Sequence, residues 1–163
     1  MIEANNVSKY FDGSQILYDV TAKFESGKTN LIIGQSGSGK TVFMKCLIGL
    51  HTPEQGEIFY DGRPFTKMSS SERKHLRTEI GMLFQGSALF DNETVLGNVM
   101  FPLKMFSSMS RKEQIERAKF CIQRVGLENA DEKYPSEISG GMQKRVAIAR
   151  AIALNPKYLF CDE

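Results

Sequence analysis

The run Gly34-Gln35-Ser36-Gly37-Ser38-Gly39-Lys40-Thr41 limits what this 163-residue chain can fold into more than any other stretch. It follows the apolar segment Thr29 to Ile33, which ends directly in Gly34. It precedes Val42, Phe43, Cys46, Leu47 and Leu50 at helical spacing, until Thr52-Pro53 stops the pattern. That order predicts a buried strand, a glycine-rich loop and a helix. Glycines let backbone amides turn inward with no Cβ in the way, and the helix aims its positive N-terminal end at the same point, so the loop is a cradle for phosphate oxygens. Lys40 is placed to reach β- and γ-phosphates, and Thr41 offers a hydroxyl to a bridging Mg²⁺. MgATP is the expected ligand, held by Gly34, Ser36, Gly37, Ser38, Gly39, Lys40 and Thr41. The loop alone names no reaction.

The flanking sequence supplies the scaffold. Ile2 to Phe24 alternates loosely around Asp12-Gly13-Ser14 and reads as short strands about a turn. Glu57 to Tyr60, Asp61-Gly62 and Arg63 to Phe65 read as a hairpin, because Asp-Gly supplies the positive φ of a tight primed turn. Ser69 with Glu72 opens a short polar helix, and Ile80 to Phe84 is a brief strand. A weak helix carries Val95 and Val99 on one face and is closed by Pro102. Ser110 with Glu113 caps a clearer helix whose apolar face comprises Ile115, Ala118, Ile122 and Val125, and Gly126 ends it. A further helix runs from Ser139 to about Leu154.

Phosphoryl chemistry with Mg²⁺ needs a carboxylate near the metal and a group that positions the attacking water. Tyr158-Leu159-Phe160-Cys161-Asp162-Glu163 is an apolar strand ending in two carboxylates. Asp162 falls near the metal, and Glu163, one residue further, is the candidate catalytic group.

Ile138-Ser139-Gly140-Gly141-Met142-Gln143-Lys144-Arg145 resembles the signature of the ABC ATPases. The resemblance covers essentially the whole chain in the family's motif order. It implies an α/β P-loop core with an N-terminal antiparallel β subdomain and an inserted α-helical subdomain. On that reading residues 1–85 hold the β subdomain and phosphate loop, 86–138 the helical subdomain, and 139–163 the signature helix and acidic strand. The resemblance further implies that Ser139, Gly140 and Gly141 bind the γ-phosphate held by a second copy of the chain. It makes Gln85 the glutamine that senses Mg²⁺ and the attacking water and links the site to a membrane partner. Phe11 resembles the aromatic that stacks on adenine, although Tyr10 could fill that role and an aromatic in the β core is the plain alternative.

The 99 residues from Lys40 to Ser139 are too few for the long coiled coil of chromosome-maintenance relatives, which favours a transporter subunit. Gly81 to Phe90, Asn98 to Leu103, and Ser-Gly-Gly-Met followed by Lys144-Arg145 are similar to the Mla- and Mce-type ATPases of bacterial lipid trafficking. The implied partners are integral membrane permease subunits and a lipid-carrying binding protein. The alternatives are the ATPase of an importer for amino acids or other small molecules, a non-transport ABC ATPase acting in cell division or on ribosomes, and a nucleotide-binding fragment without turnover. The family continues past its two carboxylates to a switch histidine, whereas His51 and His75 both precede the signature. A C-terminally incomplete chain, binding nucleotide better than it hydrolyses it, is therefore expected.

Composition fits that reading. Charged residues are 25% and hydrophobic ones 41%, as in ordinary globular proteins. A net charge of +2 without basic clusters argues against a nucleic-acid partner. Cys46, Cys121 and Cys161 lack the spacing of a zinc site or a disulfide framework and are expected to be reduced and mostly buried. With no signal-like N-terminus and no long apolar run, the expected location is cytoplasmic, on the inner face of the bacterial inner membrane.

Overall fold

Asp12 and Gly13 both take positive φ, 47° and 80°, and turn the N-terminal segment back on itself. In this computed structural model, which describes residues 1–162, the turn joins two long strands, β1 (Ile2–Phe11) and β2 (Ser14–Phe24). β1 also pairs with β3 (Gln55–Tyr60), which turns at Asp61-Gly62 into the short β4 (Arg63–Pro64). Asp61 and Gly62 have φ of 49° and 75°, the left-handed pair of a primed hairpin turn. The resulting antiparallel sheet has the order β2-β1-β3-β4.

The chain divides into two units, Met1–His75 and a second beginning at Leu76. In the first, α1 (Lys40–Leu47) buries Phe43, Met44, Cys46 and Leu47. It ends in a Schellman motif: Leu50 N–H donates to the Lys45 carbonyl at 2.8 Å, and Gly49 N–H to Cys46 at 3.1 Å. The buried Tyr60 hydroxyl donates to the Leu47 carbonyl at 2.8 Å, satisfying a further C-terminal acceptor of the helix. The expected buried strand at Thr29 to Ile33 does not form. These residues lie outside any strand, and Leu31 and Ile33 are 80% and 87% exposed. An apolar run makes a strand only when a neighbouring backbone completes its ladder, and among the described residues none pairs with this one.

The boundary between the units falls within α2 (Ser70–Thr78), where Ser69 and Glu72 form the expected capping contacts. The second unit holds a parallel pair, β5 (Ile80–Leu83) with β6 (Tyr158–Cys161), and three helices, α3 (Val95–Phe106), α4 (Arg111–Arg124) and α5 (Gly140–Ile152). Val95, Val99, Leu103, Ala118, Cys121, Ile122, Ile138, Val146 and Ala149 form their shared core. α4 begins in the Ser110–Glu113 capping box and ends at Gly126, φ 66°, with Leu127 N–H donating to Ile122 at 3.2 Å. α3 does not stop at Pro102 but continues to Phe106. Burying Leu103 is worth about 1.5–3 kcal/mol, which offsets most of the roughly 3 kcal/mol an interior proline costs. Cys46 and Cys121 are buried free thiols, but Cys161 is exposed. Burial raises the Cys46 thiol to about 11, so it is an inert packing group.

Candidate nucleotide site

Gly34 to Thr41 closes as a loop on its own backbone. Ser38 N–H donates to the Gln35 carbonyl at 3.2 Å, and Gly37 and Gly39 take φ of 77° and 89°, which side-chain-bearing residues adopt only under strain. A Cβ at Gly34 would meet Ser38 Oγ at 2.8 Å, so a side chain there would displace the Ser38 hydroxyl. Gly39 is the N-cap of α1, and the first helical bond runs from Phe43 N–H to its carbonyl at 2.8 Å. Residues 34–38 are exposed, which leaves the loop open to a ligand.

Lys40 folds back over this loop. Its ammonium donates to the carbonyls of Gly34 at 2.9 Å and Gln35 at 2.8 Å, so the cation is held on the cradle rather than in solvent. Thr41 is the second residue of α1, at the same helix end. The amides of a glycine-rich loop, a fixed ammonium and a helix N-terminus form a donor set suited to polyphosphate.

The tip of the β1–β2 hairpin packs against the loop, since a Cβ at Gly39 would stand 3.0 Å from Leu17 Cδ2 and 3.3 Å from the Ile16 carbonyl. Phe11, paired with Ser14 at that tip, is 38% exposed and is therefore not a core aromatic. Lys9 Nζ lies 5.0 Å from the Phe11 ring centre, and the His51 ring meets Phe11 edge-on at 5.2 Å. Lys9 is itself buried, donating to Glu54 and to the Thr52 carbonyl. The hydrogen bond from Lys9, with a second from the Tyr10 amide, holds the Glu54 carboxyl below the usual carboxylate range. Neither Lys9 nor Glu54 carries a motif that could have singled it out in the sequence.

In the second unit β5 and β6 run parallel with Ile80 opposite Tyr158 and Leu83 opposite Cys161. Gln85 and Asp162 therefore leave the C-terminal ends of adjacent parallel strands, the edge where ligands of open α/β sheets bind. Gln85 is exposed and Asp162 half-buried. Glu163, the candidate catalytic carboxylate, lies outside the described residues. Among those described, no cluster of three or more His, Cys, Asp or Glu could hold a metal ion by itself.

Ser139 is the N-cap of α5 and accepts from Met142 N–H at 3.2 Å. A Cβ at Gly140 would meet nothing within 4 Å, and one at Gly141 only Ser139 Oγ at 4.0 Å, so the start of this helix is not crowded at its glycines. The rest of α5 is tied down. Gln143 donates to the Pro135 carbonyl at 2.9 Å and Arg145 to Gly126 at 2.9 Å. Arg117 donates to the carbonyls of Ile152 and Ala153 at 3.0 and 2.8 Å, placing a cation on the negative end of the helix. Arg150 reaches the loop after Gln85, donating to Ser87 and Ala88. The sequence analysis assigned Arg150 no role, because its partners lie some sixty positions away and share no motif with it.

The model of a family described as ABC transporter matches residues 17–163. Over 162 residues the chain is 41% identical to the probable ribonucleotide transport ATP-binding protein mkl of Mycobacterium leprae, covering 99% of this chain and 47% of that protein. It is 39% identical over 163 residues to the methionine import ATP-binding protein MetN of Clostridium acetobutylicum, covering 100% and 51%. The chain thus spans about half the length of the curated relatives it matches. Among solved structures it resembles the dimeric ATP-binding cassette MJ0796 bound to ADP and Pi, at TM-score 0.89 and 34% identity over 99% of this chain and 73% of that one. It also resembles cbiO1 of Clostridium perfringens, part of the ABC transporter complex cbiONQ, at TM-score 0.85 and 28% identity over 99% and 64%.

Proposed function

This chain belongs to the ABC transporter family, and we propose that within a transporter it is the ATP-binding subunit, coupling MgATP binding and hydrolysis to transport across a bacterial inner membrane. The observation that carries the proposal is the Gly34–Thr41 loop, whose glycines leave a cradle at the start of α1 and whose Lys40 is already fixed over it. The loop amides and the Lys40 ammonium would hold the phosphate oxygens, Thr41 of the first unit and Asp162 of the second would be oxygen donors to Mg²⁺, and Phe11 would stack on the adenine. Gln85 would contact the metal and the attacking water, and Glu163 would polarise that water. Mg²⁺, when bound with the nucleotide, neutralises charge that builds on the transferred phosphoryl group. The contribution of these side chains is positioning and electrostatic stabilisation.

The amides of Ser139, Gly140 and Gly141, at the N-terminus of α5, suit the γ-phosphate of a nucleotide held by a second copy of the chain. The dimeric cassette bound to ADP and Pi, at 34% identity, supports the pairing of two copies; the head-to-tail arrangement is part of the proposal. Titration with a fluorescent ATP analogue tests the core of the proposal. Lys40→Ala should weaken MgATP binding by about tenfold or more, as expected for losing hydrogen bonds from a charged donor, and undiminished affinity would overturn it.

For the cargo, the segments Gly81 to Phe90 and Asn98 to Leu103 favour the lipid-transport branch. A second reading, import of a small molecule, is favoured by 39% identity to a methionine import protein over the whole chain. Stimulation of ATP turnover by a phospholipid-loaded carrier, with the permease reconstituted in liposomes, supports the first reading. Stimulation by methionine with its binding protein supports the second.

A further inference from the structure

Gln85 opens a loop in which three successive residues, Gly86, Ser87 and Ala88, have φ of 75°, 67° and 45°. Only the first is a glycine. A left-handed serine followed by a left-handed alanine persists only where surrounding contacts over-determine it. Local bonds contribute, with Ser87 N–H donating to the Phe84 carbonyl at 3.2 Å and Ala88 N–H to Gly86 at 2.8 Å. The loop's far end is held by the fully buried Asn98, whose Oδ1 accepts from Phe90 N–H at 2.8 Å and whose amide donates to the carbonyls of Phe90, Glu93 and Thr94.

At the near end a side chain from α5 takes hold of the loop. The Arg150 guanidinium donates from one nitrogen to the Ala88 carbonyl and from another to the Ser87 carbonyl, both at 2.8 Å. The same group lies 5.8 Å from the Phe90 ring, which packs at 4.6 Å on Phe101 of α3. A planar fork on two adjacent carbonyls fixes direction as well as distance, which the single ammonium of a lysine does not. Arg150 also lies on α5, whose other end presents Ser139, Gly140 and Gly141 about 16 Å away at 1.5 Å per residue.

We propose that Arg150 is a positioning residue that clamps the loop after Gln85 to the signature helix, so that Gln85 and the Ser139–Gly141 amides are held as one rigid piece. The functional part of this inference rests on the nucleotide-site reading above. The clamp itself does not.

The test uses Arg150→Lys, which keeps the charge but loses the fork, beside Arg150→Gln. Both are first checked for unchanged helical circular dichroism. Hydrogen exchange at Ser87 and Ala88 should speed up by about tenfold in Arg150→Lys, the loss of one charge-assisted bond, while amides in the middle of α5 stay protected. Unchanged exchange in both variants overturns the clamp. The functional arm measures the Mg²⁺ concentration needed for ATP binding. Arg150→Lys should raise it by about tenfold, leave metal-free ATP affinity unchanged, and add nothing further in a Gln85→Ala background. Additive effects of Arg150→Lys and Gln85→Ala overturn the link to Gln85. A wild-type chain that binds no MgATP sinks the nucleotide-site reading instead, and the exchange data still decide the clamp. If both variants lose their circular dichroism, exchange of a Phe90→Leu variant, which removes the guanidinium's ring contact together with the Phe90–Phe101 ring contact but leaves Arg150 in place, replaces them. It should show faster exchange at Ser87 and Ala88, and no change overturns the clamp.

Discussion

The amide of Asp162 donates to the carbonyl of Leu83 at 2.9 Å, extending the β5–β6 ladder by one bond past the last strand residue. That bond fixes where Asp162 leaves the sheet, one residue past β6, whereas Gln85 stands two residues past the end of β5 on the neighbouring strand. Asp162→Asn keeps the backbone bond and the side-chain shape and removes only the charge. Metal-free ATP affinity should therefore be unchanged while the gain on adding Mg²⁺ falls by about tenfold or more, as when a hydrogen-bonded or metal-facing charge is lost. Calorimetric titration with Mg²⁺ and with a chelator measures both. An unchanged Mg²⁺ gain would remove Asp162 from the metal's shell.

Gly49 should be among the least replaceable residues of the first unit. Its φ is 76°, and a Cβ there would stand 2.3 Å from Phe65 Cζ. The Phe65 ring has little freedom to move away, because it is buried and packs edge-on against the buried Tyr60 at 5.6 Å. Gly49→Ala combines backbone strain with overpacking, each costing about 1–3 kcal/mol. A fall in the denaturation midpoint with an unchanged slope checks this. A variant as stable as wild type would show that the Schellman end of α1 is not rigid.

Features set by neighbours in the chain could be read in advance. Asp61-Gly62 demanded a primed turn, and Ser110 with Glu113 and Gly126 bracketed α4 at both ends, because caps and turns are built from residues three or four positions apart. Where the outcome depends on distant partners, local rules were insufficient. Thr29 to Ile33 has the composition of a buried strand but no ladder partner among the described residues. Pro102 is a helix breaker by local rule, yet the burial of Leu103 one residue on carries α3 past it. At the site, the phosphate loop was legible because one contiguous segment supplies glycines, lysine and helix end. The Arg150 fork and the Lys9–Glu54 support beneath Phe11 were not, since each joins residues that only the fold brings together.

Acid should loosen the support of Phe11 before it touches the phosphate loop. The Glu54 carboxyl is held below its ordinary value, first by the hydrogen bond from Lys9 and then by the Tyr10 amide. A group whose folded value is depressed stabilises the fold fully above its unfolded value, about 4.3 for a glutamate. That contribution is lost as pH falls through the folded value. Stability of the first unit should therefore decline on acidification below about pH 4.3, and Glu54→Gln should flatten that part of the profile. Thermal midpoints of both proteins between neutral pH and the acid range decide the matter. Parallel profiles would mean that the Lys9–Glu54 contact carries no linkage.

Gly140 offers the sharpest separation of folding from function. A Cβ there meets nothing within 4 Å, and Gly140 is the first residue of α5, so alanine adds no clash. Helix propensity favours alanine over glycine by up to about 1 kcal/mol, so Gly140→Ala should melt at or slightly above the wild-type temperature. The same methyl would be added beside the amides that follow Ser139, where, on the reading proposed above, a phosphate from a second copy has to approach closely. Dimerisation driven by ATP should therefore weaken by about tenfold or more, while ATP affinity of the isolated chain, set by the Gly34–Thr41 loop, stays the same. Light scattering with and without ATP, beside the titration used for Lys40→Ala, separates the two quantities. Dimerisation equal to wild type in a stably folded Gly140→Ala protein would mean that the signature amides do not receive the partner's nucleotide. A wild-type chain that stays monomeric in ATP would overturn the two-copy arrangement itself.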